Sequence, residues 1–140
     1  MELNILRADP AGNITVFVLD PVEKAQRAAI AEKIMAIPAL KAEQVGYACA
    51  AEDDVDGHME MMGGEFCGNA TRAYGMYIAQ QKGGLSSVRL RVSGCDHVVT
   101  AQVDLKSGTA RAEMPCPRSV KRVTVNGHEG TLCLLYTSDA

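Results

Sequence analysis

Hydrophobic positions along this chain alternate in some stretches and recur every three or four residues in others, and the switches between these periods mark its elements. Leu3 to Ala8 and Ile14 to Leu19 read as strands, joined through the turn residues Asp9-Pro10-Ala11-Gly12-Asn13 into an opening hairpin. Asp20-Pro21-Val22-Glu23 then reads as a helix start, with Asp20 as cap, proline at the first helical position and a carboxylate at the third. Val22, Ala25, Ala29, Ile30, Ile34 and Ile37 follow helical spacing and leave Glu23, Lys24, Arg27 and Lys33 off the stripe. This predicts an amphipathic helix packed outside a sheet and ended by Pro38.

Gln44 to Ala50 and His58 to Met62 read as strands, separated by an acidic surface loop, Glu52-Asp53-Asp54-Val55-Asp56-Gly57. His58 and the methionines around it read as sheet residues rather than ligands. A second helix is expected over residues 70–82, stopped by Gly83-Gly84. Ala70, Ala73, Tyr74, Met76, Tyr77, Ile78 and Ala79 leave few polar positions around its circumference, which suits a helix enclosed on most sides. Arg72 interrupts that surface and calls for an ion-pair partner if buried. Ser87 to Ser93, His97 to Leu105 and Thr109 to Met114 continue as strands. Met114-Pro115-Cys116-Pro117 reads as a domain exit, and Val123 to His128 carries an Asn-Gly hairpin turn. No internal repeat or low-complexity segment is visible.

At 140 residues one modest domain is expected, large enough to hold a core. The net charge of -3 and pI near 5.6, with only Arg118, Lys121 and Arg122 clustered, leave no basic footprint for nucleic acid. A small molecule is the expected partner. MELNILRADP has an early acidic residue and no long apolar run, so neither a signal peptide nor a membrane anchor is expected, and the chain reads as cytoplasmic. The five cysteines, 49, 67, 95, 116 and 133, are an odd set with no C-x-x-C pair, which argues against a disulfide framework and a structural zinc site. Cys95 and His97 alone do not make a metal site, and no metal is expected.

The candidate chemistry lies in Met61 to Gln81, MMGGEFCGNATRAYGMYIAQQ. Gly63 and Gly64 permit a tight reversal, and Gly68 and Asn69 suit a helix entry, so Cys67 is placed at or just before a helix N-terminus. A thiol at the positive end of a helix ionises more readily, and the unpaired N–H groups of Gly68, Asn69 and Ala70 offer an anion site beside the sulfur. The alternative is a small apolar packing residue.

GGEFCGNATR resembles the cysteine motif of the diaminopimelate epimerase-like amino-acid racemases and epimerases, which work without pyridoxal phosphate. GGEF ahead of CGNATR is most similar to the histidine racemases of metallophore pathways. Asn69 follows the epimerase pattern, where proline racemase-type enzymes carry histidine. The resemblance implies an α+β fold, a curved, mostly antiparallel sheet wrapped around one central helix, here the helix after Cys67.

The resemblance also implies a role for several residues. Cys67 would be one of two acid/base cysteines, with the second in a C-terminal domain absent from this chain. Gly68 and Asn69 would bind substrate at the helix end. Asn13 matches a substrate-contacting asparagine at the tip of the family's opening hairpin, with a turn residue as the plainer reading. Gln44 matches a position near the active site and reads otherwise as an ordinary strand residue. The implied substrate is an amino acid, histidine or diaminopimelate, the implied cofactor none, and a homodimer is a further expectation. A cysteine hydrolase or transferase using His58 or His97, and a non-catalytic ligand-binding domain, are the rival readings. Cys49, Cys95, Cys116 and Cys133 match no motif and are assigned structural roles. Residues 1–118 are expected to form the epimerase-like domain and 119–132 the start of a truncated second one. LCLLYTSDA does not match the family, and residues 133–140 read as an artefactual tail.

Overall fold

The computed structural model describes residues 1–134. Seven strands form one sheet in chain order: β1 (Ile5–Ala8), β2 (Thr15–Val18), β3 (Gln44–Cys49), β4 (Gly57–Met61), β5 (Ser87–Val92), β6 (Val99–Asp104) and β7 (Thr109–Ala112). Helix α1 (Lys24–Met35) joins β2 to β3, and α2 (Gly68–Gln81) joins β4 to β5. Those two strand pairs are parallel and the other four antiparallel. The curled, mostly antiparallel sheet around α2 is the expected α+β architecture.

Parallel neighbours require a crossover, and each helix supplies one. Because the antiparallel β3/β4 pair reverses the strand direction between the two crossovers, connections of one hand fall on opposite faces of the sheet. The cores divide accordingly. Val16, Val18, Val45 and Tyr47 pack with Ala31 and Ile34 of α1, while Phe17, Met59, Leu90, Val99 and Ala101 pack with Ala70, Tyr74 and Ala79 of α2. No residue of α2 from Gly68 to Ala79 is exposed, whereas most of α1 is. Helix α2 lies so close to β6 that a Cβ at Gly75 would come within 2.8 Å of the Ala101 side chain.

Helix α1 departs from expectation in two ways. It begins at Lys24, with Glu23 in the cap position and no side-chain cap, because Asp20 is taken by the backbone and side chain of Asn4 at the entry to β1. The buried stripe is Arg27, Ile30, Ala31 and Ile34, while Ala25, Ala29 and Ile37 are exposed. Arg27 therefore faces the sheet. It pairs with Glu60, stacks over Tyr47 at 5.2 Å and accepts the Tyr47 hydroxyl on its carbonyl, contacts that a count of apolar positions does not register. The acidic loop is also more than a solvated run: the Asp56 carboxylate accepts from the Arg89 N–H, and Asp54 pairs with Arg91.

After β7 the chain forms a separate two-stranded ribbon, β8 (Ser119–Val125) and β9 (His128–Leu134), turned by Asn126 and Gly127 at φ 51° and 77°. Nearly all of it is exposed. Cys133 and Leu134 belong to β9, and the remainder of the tail expected at 133–140 lies outside the described residues.

Candidate active site

Cys67 occupies the N-cap position of α2, with extended backbone at φ -132° and ψ 112°. Its half-buried sulfur accepts from the Ala70 N–H at 3.4 Å, and its carbonyl accepts the Thr71 N–H and hydroxyl at 2.9 and 2.8 Å. Ala70, expected to help form the anion site, thus spends its N–H on the sulfur. Gly68 and Asn69 remain the first-turn donors without an intrahelical acceptor. Beside them an open depression of about 510 Å³ is lined by Phe66, Cys67, Gly68, Arg72 and Met114, among others.

The loop that delivers Cys67 is braced from behind. Ser93 donates its hydroxyl to the Glu65 carbonyl at 2.7 Å and accepts the Met61 N–H at 2.7 Å, tying β4, the loop and the end of β5 together. At Gly94, with φ 72°, a Cβ would lie 2.2 Å from the Phe66 nitrogen, so backbone packs directly on backbone. The sequence reading assigned Ser93 and Gly94 no role. A Ser-Gly pair directly after a strand was the available signal, but what it braces is 28 residues upstream of Ser93.

Asn13, Gln44 and Asn69, the side chains expected to contact substrate, meet here beside Cys67. Gln44, at the start of β3, sends its amide nitrogen 3.2 Å from the Cys67 sulfur, 3.0 Å from Asn13 Oδ1 and 2.7 Å from the Thr15 hydroxyl. Asn13, at the mouth of the β1–β2 hairpin, accepts from Asn69 Nδ2 at 3.2 Å and donates to Glu43 Oε2 at 2.8 Å. Parallel pairing explains the meeting, since Thr15 and Gln44 are direct β2/β3 partners and bring the two strand starts together. Thr15, fully buried, and Glu43 are members that the sequence reading missed. Arg72 does not form the expected ion pair: its guanidinium donates to Asn69 Oδ1, and among the described residues no carboxylate lies within ion-pair distance of it. One turn of helix places the two side chains together, which makes Asn69 the nearest acceptor.

Neither histidine proposed as an activating base is a partner of Cys67. His58 sits 3.5 Å from Glu60, on the face that carries α1, and His97 contacts Cys95 and Asp96. Among the described residues, two sets could gather metal-ligating atoms, Cys95-Asp96-His97 and Cys49-His58-Glu60, the second assembled across the β3/β4 register and not foreseen. In the second, Arg27 already holds both Glu60 and Cys49. Cys116 and Cys133 are exposed, whereas Cys49 and Cys95 are partly buried.

Among the described residues, no helix is long and apolar enough to cross a membrane. A histidine racemase of Fusobacterium nucleatum subsp. nucleatum is 32% identical over 145 residues, covering 97% of this chain and 51% of the relative. One from Staphylococcus aureus is 32% identical over 122 residues, covering 84% of this chain and 44% of the relative. The chain thus spans about half the length of the curated relatives it matches. The family described as the histidine racemase CntK N-terminal domain matches residues 2–138, from before the opening hairpin to beyond the β8–β9 ribbon. By that match the chain belongs to the histidine racemase N-terminal domain family, within the diaminopimelate epimerase-like racemases.

Proposed function

We propose that this chain is the N-terminal half of a cofactor-independent, cytoplasmic amino-acid racemase acting on histidine, with Cys67 as one of its two acid/base groups. The observation that carries the reading is the Cys67 sulfur at the cap of α2, with the Gln44 amide aimed at it. The relatives' substrate, by their names, favours histidine over diaminopimelate.

Inverting an α-carbon requires one group to remove a proton from one face while another supplies a proton to the opposite face. In this reading the substrate α-carboxylate sits on the N–H groups of Gly68 and Asn69, where the helix terminus stabilises charge developing on it as Cα–H breaks. The Cys67 thiolate takes the proton. Gln44 and the Ala70 N–H hold the sulfur in place while it is anionic. The opposing acid belongs to the segment that the longer relatives possess beyond this one, and residues 119–132 begin that second domain. With a single thiol in such a setting, the chain alone is expected to return the same proton and invert poorly.

The test follows solvent deuterium into Cα of histidine, using the complete protein that contains this half. Equal incorporation during turnover of D- and L-histidine, lost in Cys67→Ser and unaffected by carbonyl-trapping reagents, is the expected result. Incorporation that survives Cys67→Ser would overturn the assignment.

A further inference from the structure

The groups around the sulfur form a directional hydrogen-bond chain with a charge at each end. The Arg72 guanidinium donates to Asn69 Oδ1, Asn69 Nδ2 donates to Asn13 Oδ1 at 3.2 Å, and Asn13 Nδ2 donates to the Glu43 carboxylate at 2.8 Å. Gln44 joins at the middle, giving a proton to Asn13 Oδ1 at 3.0 Å. We propose that Glu43 is a positioning residue for the racemase site: as an obligate acceptor it fixes the Asn13 amide with its oxygen inward, and so holds the Gln44 amide on the Cys67 sulfur. The inference rests on the acid/base reading of Cys67.

The chemistry of the donors supports this. An ionised carboxylate only accepts, so it demands the NH₂ end of Asn13. With Asn13 reversed, its NH₂ would face the NH₂ groups of both Gln44 and Asn69, three donors with no acceptor between them. Gln44 would lose one of the two anchors that place its nitrogen 3.2 Å from the sulfur, the other being Thr15 Oγ1. Thr15 gives its own proton to the Asn13 carbonyl at 3.2 Å and so presents lone pairs to Gln44. Arg72 applies the matching constraint at the far end, since a guanidinium only donates and therefore takes the oxygen of Asn69. Glu43 is exposed, and its backbone N–H is held by the Ile14 carbonyl at 2.9 Å, so its side chain can be changed with the strand start in place.

Two substitutions separate this role from simple electrostatics. Glu43→Ala and Glu43→Gln remove the same negative charge, but only Gln keeps an acceptor for Asn13. The rate of Cys67 alkylation by iodoacetamide at neutral pH is read site by site in the 140-residue chain, with exposed Cys116 as internal standard, alongside the ¹⁵N-edited side-chain signal of Asn13. Glu43→Ala is expected to slow Cys67 about threefold, the scale of one hydrogen bond to the sulfur, and to shift the Asn13 amide signal. Glu43→Gln is expected to restore both. A charge effect would instead move the two variants equally and toward faster reaction, because an anion near a thiolate has been removed. Equal rates in the two variants, or a wild-type rate in Glu43→Ala, would overturn the positioning role alone. A wild-type Cys67 that reacts no faster than Cys116 would remove the acid/base reading of Cys67, and this inference with it.

Discussion

Cys49 and Cys67 are both half-buried and both accept a hydrogen bond from nitrogen, yet they lie on opposite sides of one sheet in opposite electrostatic settings. Cys49, on the α1 side, has a guanidinium 3.6 Å away. Burial nevertheless pushes its thiol up, the Glu60 carboxylate adds to that push, and Arg27 and Lys24 only partly oppose it. Among the described residues, no formally charged group contacts the Cys67 sulfur; its donors are the neutral Gln44 amide and Ala70 N–H, with an open depression at the N-terminus of the helix alongside. A positive neighbour does not make a working sulfur when that cation is already committed to a carboxylate. On the acid/base role proposed for Cys67, access to the open depression counts for more than a cation so committed.

The largest effect should separate the two sulfurs in the complete enzyme. Cys67→Ala is expected to lower kcat/KM for histidine racemisation by at least about 10³-fold, within the range for loss of a positioned acid/base group. Cys49→Ala should leave it within about twofold. Comparable losses from the two would dissolve the contrast.

Next in size is the cost of dismantling the Cys49 side. Arg27 joins α1 to the sheet through Glu60, Tyr47 and Cys49, and its removal leaves a part-buried carboxylate without its guanidinium partner, with only His58 within ion-pair distance among the described residues. Discounting the figure for a fully buried pair because both side chains keep some solvent contact, Arg27→Ala should destabilise the fold by about 2 kcal/mol. Urea titration measures it. The Cys67 alkylation rate should not change, since Arg27 reaches the other face of the sheet.

A smaller effect is expected in acid. Burial opposes ionisation of Glu60, but hydrogen bonding and charge from Arg27 outweigh it and hold the carboxyl below its ordinary value of 4.5. A depressed folded value means that the stabilisation is present above pH 4.5 and is lost as the pH falls through the lower folded value. The urea midpoint of the wild type should therefore fall more steeply than that of Glu60→Gln below pH 4.5. Parallel acid limbs would show that Glu60 does not carry this dependence.

Much of this arrangement was legible in sequence where local chemistry decides it. Period and punctuation located every strand of the main sheet to within about two residues, and Gly63 to Asn69 announced a reversal followed by a helix. The contrast between an enclosed α2 and an exposed α1 followed from how many positions around each helix are apolar. What could not be read depends on register. Arg27 lies on the buried stripe only because Tyr47 and Glu60 face it across paired strands, and Asp20 abandons the helix cap only because Asn4 is beside it. Glu43 and Thr15 enter the site through β2/β3 pairing, which no local pattern encodes. Asn13 and Gln44 were named through family resemblance, and spacing alone would have left them as turn and strand residues, whereas the backbone of Asn69 was already marked by its place at the helix entry.

The finest discrimination concerns what holds Cys49 back. After burial, the Glu60 carboxylate is the leading influence against its ionisation, and the same carboxylate occupies the Arg27 guanidinium that would otherwise favour it. Glu60→Gln removes the repelling charge and loosens the competitor for Arg27, so both changes favour the thiolate, while the unchanged burial limits the gain. Alkylation of Cys49 at pH about 8, near where an ordinary thiol begins to ionise, should rise about threefold, with Cys67 and exposed Cys116 unchanged as controls. A double variant, Arg27→Ala with Glu60→Gln, should bring Cys49 back to the wild-type rate or below it, because the cation that profits from the loss of Glu60 is then missing. If Glu60→Gln leaves Cys49 as slow as before, burial alone accounts for its inertness. The difference between the two sulfurs would then be one of access, with charge playing no part on the α1 side.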